Sequence, residues 1–127
     1  MAINWLDRCL VEAPFHYTLV TTERKYHKVL DKLNVPRIER PAFIKTPWSN
    51  ATAHSFTSDG ELTFVICVSG TKKHTTAQVY ALLVHEAVHM WQEARARIGE
   101  IAPSQEFEAY AIQALSQRLF EEYAQQR

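Results

Sequence analysis

The chain has 127 residues and a mass of 14.7 kDa, 46% of its residues are hydrophobic, and this length is typical of one domain, here covering residues 1–127. Fourteen Lys and Arg balance fourteen Asp and Glu, so no broad basic field favours nucleic acid and no acidic tail favours basic partners. No apolar run approaches the roughly 18–20 residues that cross a bilayer, and the first residues lack a basic leader before an apolar core, so we expect a cytoplasmic protein that binds neither membrane nor nucleic acid.

Two helices are predicted for the N-terminal part. A short helix covers about residues 4–11 and ends before Pro14. A second helix begins at Thr22, has apolar residues at helical spacing, and ends before Pro36. The three prolines between residues 36 and 47 then favour an extended connection over the surface.

A β-hairpin is predicted next. Residues 51–57 and 61–68 are rich in β-branched and aromatic side chains, and Ser58-Asp59-Gly60 between them is typical of a tight turn. We therefore expect two antiparallel strands, either of which could form the edge of a small sheet.

Two long helices are predicted for the C-terminal half. Thr75-Thr76-Ala77-Gln78 matches a capping box, which predicts a helix from about residue 76 to 98, closed by Gly99. The last helix is expected to start at Ser104 and to end near Tyr123. The expected fold class is α+β, with a small antiparallel sheet packed against long helices.

The first of these long helices carries the motif HExxH, as His85-Glu86-Ala87-Val88-His89. Residues four apart lie on one face of a helix, so both imidazoles can bind one metal ion. Zinc held in this way lowers the pKa of a bound water towards about 7, and Glu86 is placed to take a proton as that water attacks a carbonyl. The alternative is that His85 and His89 are ordinary surface residues of a helix.

A zinc site of this kind needs a third protein ligand, and the Gly and third His of metzincins do not follow the motif. On the last predicted helix, Glu108 shares a face with apolar residues, where a carboxylate is costly unless it is paired or metal-bound. Glu108 is therefore the preferred candidate, and the alternative is a first-turn acid favoured by the helix dipole. The other acids of this helix are Glu106, Glu121 and Glu122.

Together, the HExxH motif and Glu108-Ala109 resemble the gluzincin branch of zinc metallopeptidases, in which a Glu on a following helix joins the two His ligands. More closely, residues 82–92 (LLVHEAVHMWQ), 107–113 (FEAYAIQ) and 47–56 (PWSNATAHSF) are similar to small uncharacterised zinc metallopeptidases encoded by tailed phages and prophages. The resemblance implies a zincin-like domain that acts on a peptide or protein substrate, in the host cytoplasm or the phage particle.

The same resemblance implies the roles of individual residues. His85, His89 and Glu108 would bind one Zn²⁺ per chain, and Glu86 would be the general base. The side chain that stabilises the oxyanion has no equivalent in a motif. The candidates are His54, His74, Tyr80 and Tyr110. We rank His54 first because it lies on a predicted strand near the expected edge of the cleft, and the alternative is a structural or solvent-facing histidine, which is more common in strands.

Two neighbours of the motif have simpler interpretations. Gln92 lies one turn beyond His89 and could contact that ligand, or it could be a surface amide. Trp91 lines up with apolar residues of its helix and is predicted to lie in the core.

Two other functions fit the same residues. One is a non-catalytic zincin-like module, structural or regulatory, in which the metal holds two helices together. The other is an ImmA-like regulatory peptidase of a prophage, although the helix-turn-helix often fused to such enzymes is missing. A DNA-associated SprT-type zincin fits less well, because the chain has neither its third His ligand nor a Cys-rich zinc ribbon. Glu86 favours the enzyme, because a purely structural site has no use for a base.

Overall fold

The structure, a computed structural model, describes Ile3 and residues 13–127. The predicted helix over residues 4–11 lies outside this described part of the chain. The helices and strands follow in the order β1 (His16–Val20), α1 (Glu23–Lys32), β2 (Ala51–Ser58), β3 (Glu61–Val68), α2 (Thr76–Arg97) and α3 (Gln105–Gln126).

Helix α1 forms where the sequence predicts it. The Thr22 side chain accepts a hydrogen bond from the Lys25 backbone N–H at 3.2 Å, which caps the first turn. Tyr26 and Leu30, one turn apart, are fully buried and anchor the helix to the sheet. The segment that follows contains a short 3₁₀ turn at Arg37–Glu39 and crosses the same face of the sheet.

Strands β2 and β3 form the predicted antiparallel hairpin. Their register runs from Ala51 opposite Val68 to Ser58 opposite Glu61. Asp59 and Gly60 both have left-handed backbone angles, with φ of 52° and 79°. Two consecutive positive φ values give the turn a twist that matches the flanking strands. The predicted hairpin is confirmed.

The expectation of a purely antiparallel sheet was wrong, because a third strand joins it. β1 pairs in parallel with β3, from His16 opposite Thr63 to Val20 opposite Cys67, so the strand order is β1-β3-β2. The segment FHYTLV at residues 15–20 has the aromatic and β-branched composition of a strand. Its parallel pairing is possible because α1 and β2 supply a connection long enough to cross over.

The central position of β3 divides the core into two layers. Leu62, Phe64, Ile66 and Val68 face α2 and α3 on one side of the sheet. Val65 and Cys67 face α1 and the segment after it on the other side. Residues 64–68 are therefore completely buried, as expected for a strand covered on both faces. The structure confirms the α+β class.

The predicted starts of the two long helices are also confirmed. The capping box is formed by both of its hydrogen bonds, Gln78 N–H to the Thr75 hydroxyl and Thr75 N–H to the Gln78 side chain, at 3.1 and 2.8 Å. Gly99, with φ of 81°, follows the end of α2. Ser104 caps α3, which continues to Gln126 rather than ending near Tyr123. Within residues 13–127, no helix combines the length and apolar character needed to cross a membrane.

Candidate metal centre

The two histidines of the HExxH motif face one another on the exposed side of α2. The Nε2 atoms of His85 and His89 are 3.1 Å apart, and the two rings meet edge to face with centroids 4.7 Å apart. Two Zn–N bonds of about 2.0–2.1 Å at a tetrahedral angle place their nitrogens about 3.3 Å apart. The His85 and His89 side chains therefore fit two ligands of one zinc ion.

Gln92 contacts the far side of the His89 ring. The distance between Gln92 Oε1 and His89 Nδ1 is 3.2 Å. An Nδ1 that carries the proton donates to this amide oxygen, and His89 Nε2 then keeps the lone pair that a metal requires. Both alternatives for Gln92 hold, since its side chain is exposed and also contacts His89, and this contact favours the tautomer suited to a ligand.

Glu86 lies between the two histidines in sequence but points towards the sheet. Its side chain is buried, with 4% exposure, and its carboxyl group lies near the backbone N–H of Ala53 on β2. Burial raises the pKa of the Glu86 carboxyl, while His85, His89 and the Ala53 N–H lower it to a smaller extent. A carboxylate with a raised pKa is a stronger base than one in water.

Ala53 belongs to β2, which forms one edge of the sheet. Among the described strands β2 is at the edge, because β3 pairs with a strand on each side. The Asn50 carbonyl accepts a hydrogen bond from the N–H of Ser69, the residue that follows β3. The backbone N–H and C=O groups of Asn50, Thr52 and His54 therefore point towards β3. Ala51 and Ala53 therefore direct their N–H and C=O groups away from β3, to the side where Glu86 lies.

An open cleft of about 530 Å³, called here the α2 cleft, lies beside His85 and Glu86. One wall is the chain entering β2, including Trp48, Asn50 and Ala51, and the other is the N-terminal half of α2. The volume falls within the range of about 300–1,000 Å³ that is usual for ligand sites. The described residues thus place the proposed base and one proposed metal ligand at the wall of a cavity.

Glu108 lies on the opposite side of α2 from the histidines. It is half-buried on the inward face of α3, as predicted, and its Oε2 accepts a hydrogen bond of 2.8 Å from Trp91 Nε1. Trp91 is buried, also as predicted, and is about 200° around the helix from His89. Within Ile3 and residues 13–127, no three His, Cys, Asp or Glu side chains lie close enough together to hold a metal ion.

The structure therefore brings together His85, His89 and Glu86, and it leaves Glu108 apart from them. This donor set fits two zinc ligands and a base. The role of Glu108 as third ligand stays a prediction.

The first-ranked oxyanion candidate, His54, was a wrong choice. It lies on the face of β2 that packs against α1, where its Nε2–H donates to the Phe43 carbonyl at 3.1 Å and its ring contacts Tyr26. Adjacent residues of a strand point to opposite faces of the sheet. The side chains of Ala53 and His54 therefore lie on opposite sides of it.

Of the other three candidates, His74 lines the α2 cleft with His85. Tyr80 stacks on Phe120 with ring centroids 4.3 Å apart, and Tyr110 is 65% exposed on α3. Helical spacing gives no signal for His74, because this residue precedes the N-cap Thr75 of α2. The sequence marks Trp48 only by its position next to the first strand of the predicted hairpin.

Comparisons of this chain with known protein families, with curated proteins and with solved structures found no match.

Proposed function

We propose that this protein is a zinc-dependent metallopeptidase with a zincin-like domain, in which His85 and His89 bind the metal and Glu86 is the general base. The observation that carries the proposal is the 3.1 Å separation of the two Nε2 atoms next to a buried carboxylate. Zinc bound there would lower the pKa of a water molecule so that it is a nucleophile at neutral pH.

The protein's own residues then have distinct tasks. Glu86 takes a proton from the water as the new C–O bond forms at the peptide carbon, and gives it to the leaving amine nitrogen as the C–N bond breaks. The Ala53 N–H lies near the Glu86 carboxylate and favours its charged form. Gln92 orients the His89 ring and favours the tautomer suited to a ligand.

The free edge of β2 supports a peptide as the substrate. The backbone N–H and C=O of Ala51 point to this edge, next to the α2 cleft. An extended peptide can pair with such groups as an added strand, which positions its main chain without regard to side-chain identity. The scissile bond of a peptide paired with Ala51 would lie on the same side of the sheet as Glu86.

The third ligand in this proposal is Glu108, as the resemblance to gluzincins implies. Its carboxylate accepts a hydrogen bond from Trp91 on the side of α2 away from the histidines, so metal binding through Glu108 requires this side chain to move. The role of Glu108 is therefore testable separately from that of the two histidines.

A non-catalytic module is the second candidate, and the Trp91–Glu108 bond favours it. That bond holds Glu108, the predicted third ligand, on the side of α2 away from His85 and His89, whereas a catalytic zinc site uses three protein ligands. In this case a regulatory or structural partner, rather than a peptide substrate, would use the exposed histidines.

The deciding experiment is the zinc content of untagged protein, measured by elemental mass spectrometry, together with cleavage of a quenched fluorescent peptide library. We expect about one zinc per chain, loss of zinc in His85→Ala, and metal-dependent cleavage. His16→Ala is a matched control, because His16 is an exposed histidine on β1. Protein that binds no zinc even after reconstitution would refute the proposal, and protein that binds zinc without cleaving any peptide would favour the non-catalytic module.

A further inference from the structure

The lining of the α2 cleft mixes apolar and neutral polar side chains on both walls. Ala51, Ala81 and Leu82 supply small or apolar side chains, and Ser49, Asn50 and Gln78 supply neutral polar ones. Within the described part of the chain, the lining includes no Lys, Arg or Asp, and Glu86 with the imidazoles of His74 and His85 are its titratable groups. A charged side chain entering the cleft would therefore lose water without gaining a partner of opposite fixed charge other than Glu86.

Trp48 stands at the rim of this cleft. It lies in the chain just before β2, and 82% of its surface is exposed. An indole presents a large flat apolar surface with little conformational freedom to lose, which suits it to contact an incoming side chain. Its position next to Ala51 places this surface beside the backbone groups of the free edge of β2.

We propose that Trp48 and the apolar residues of the α2 cleft, Ala51, Ala81 and Leu82, form a subsite that selects a peptide with an aromatic or large aliphatic side chain beside the scissile bond. This inference rests on the proposed function, since it assigns the substrate class of the same site. An apolar side chain buries surface between Trp48 and Leu82, whereas a carboxylate finds no positively charged Lys or Arg in the lining and an ammonium group finds Glu86 alone.

The test measures binding in the full-length Glu86→Gln variant, so that no hydrolysis is needed. The probes are capped tripeptides, N-acetyl-Ala-X-Ala-amide, with X as Phe, Leu, Ala, Glu or Lys. Dissociation constants come from NMR titration of the indole N–H signals, and the Trp48 signal is the one absent from Trp48→Phe. Each titration is run with and without added zinc.

We expect the peptides with Phe and Leu to bind about tenfold more tightly than those with Ala, Glu or Lys, and the Trp48 signal to shift. Trp48→Ala removes the preference and Trp48→Phe keeps most of it. Ile38→Ala is the matched control, because Ile38 is 96% exposed but does not line the cleft, and it keeps the preference.

Equal affinity for Phe and Glu peptides, an unchanged preference in Trp48→Ala, or no titration with any peptide would overturn the inference. Failure of the proposed function looks different. If the protein binds peptides selectively but neither holds zinc nor cleaves them, the subsite is supported and the enzyme is rejected. If it cleaves peptides without a preference at this position, the enzyme is supported and the subsite is rejected.

Discussion

Trp91 Nε1–H donates a hydrogen bond of 2.8 Å to Glu108 Oε2, and this bond joins the two long helices. Trp91 is buried and Glu108 is half-buried, so the carboxylate and the indole are each satisfied by the other. Hydrogen bonds to a charged group are stronger than those between neutral groups. The same carboxylate is the predicted third zinc ligand, and its contact with Trp91 places it on the side of α2 away from His85 and His89.

Glu108→Gln separates these roles. The Gln side chain keeps an oxygen that accepts from Trp91, so we expect the free energy of unfolding to fall by no more than about 1 kcal/mol. An amide is a poor zinc ligand, so the zinc content should fall well below one per chain. Elemental analysis and chemical denaturation measure the two effects.

Glu106→Gln is the control for that experiment, because Glu106 is exposed on the same turn of α3. It should change neither quantity. A Glu108→Gln protein that retained a full equivalent of zinc would show that Glu108 joins the helices and does not bind the metal.

Glu86→Gln should keep zinc and lose hydrolysis. The amide cannot accept the proton from water, and the loss of a general base typically lowers the rate by about 10²–10⁴-fold. The measurement is kcat/KM on a peptide found by library cleavage, with zinc content determined on the same sample.

Glu93→Gln provides a comparison on the same helix. Glu93 is bonded to Ser55 and Arg97, on α2 beside β2, and its replacement should leave kcat/KM within about twofold, as is usual for residues outside the reacting groups. Equal activity of Glu86→Gln and the parent protein would rule out the proposed mechanism.

Gln92→Leu should weaken zinc binding. Its oxygen accepts from His89 Nδ1 at 3.2 Å, and the loss of such a contact to a ligating histidine typically lowers metal affinity by about 10–100-fold. Competition with a chromophoric chelator measures the affinity. Gln92→Glu restores an acceptor and should restore most of the affinity, whereas equal weakening by both variants would mean that Gln92 acts through packing and not through the histidine.

His54 should make stability depend on pH. Burial lowers the pKa of His54, and the hydrogen bonds with the Phe43 and Ala42 backbone only partly offset this. Below the unfolded value of about 6.5 the unfolded chain takes up a proton that the folded chain does not. The free energy of unfolding therefore falls as the pH drops from about 6.5 towards the folded pKa, by at most about 1.4 kcal/mol per pH unit from this residue.

Urea denaturation at pH 7.5, 6.5 and 5.5 tests this expectation, with His54→Gln as the comparison. The Gln side chain keeps an N–H donor for the Phe43 carbonyl and does not titrate. We expect a shallower dependence on pH in His54→Gln than in the parent. Parallel curves for the two proteins would contradict a titrating role for His54.

Local sequence determined most of the secondary structure and the proximity of the two histidines in the candidate site. The capping box at Thr75 and Gln78, the turn at Asp59-Gly60 and the glycine after α2 all act within a few residues of themselves, so each is readable from sequence. The approach of His85 to His89 has the same origin, since residues four apart on a helix are neighbours whatever surrounds them.

The tertiary structure decided what lies between elements distant in sequence. Strand β1 was not predicted from the sequence. It is a five-residue strand whose partner β3 is more than 40 residues away in sequence, so its parallel pairing is decided by the tertiary structure. The position of His54 depends on the register of β2, where a shift of one residue exchanges the two faces of a sheet. Likewise, the helical pattern of α3 predicted that Glu108 points inward, but only the packing of α3 on α2 decided that it meets Trp91 rather than the two histidines.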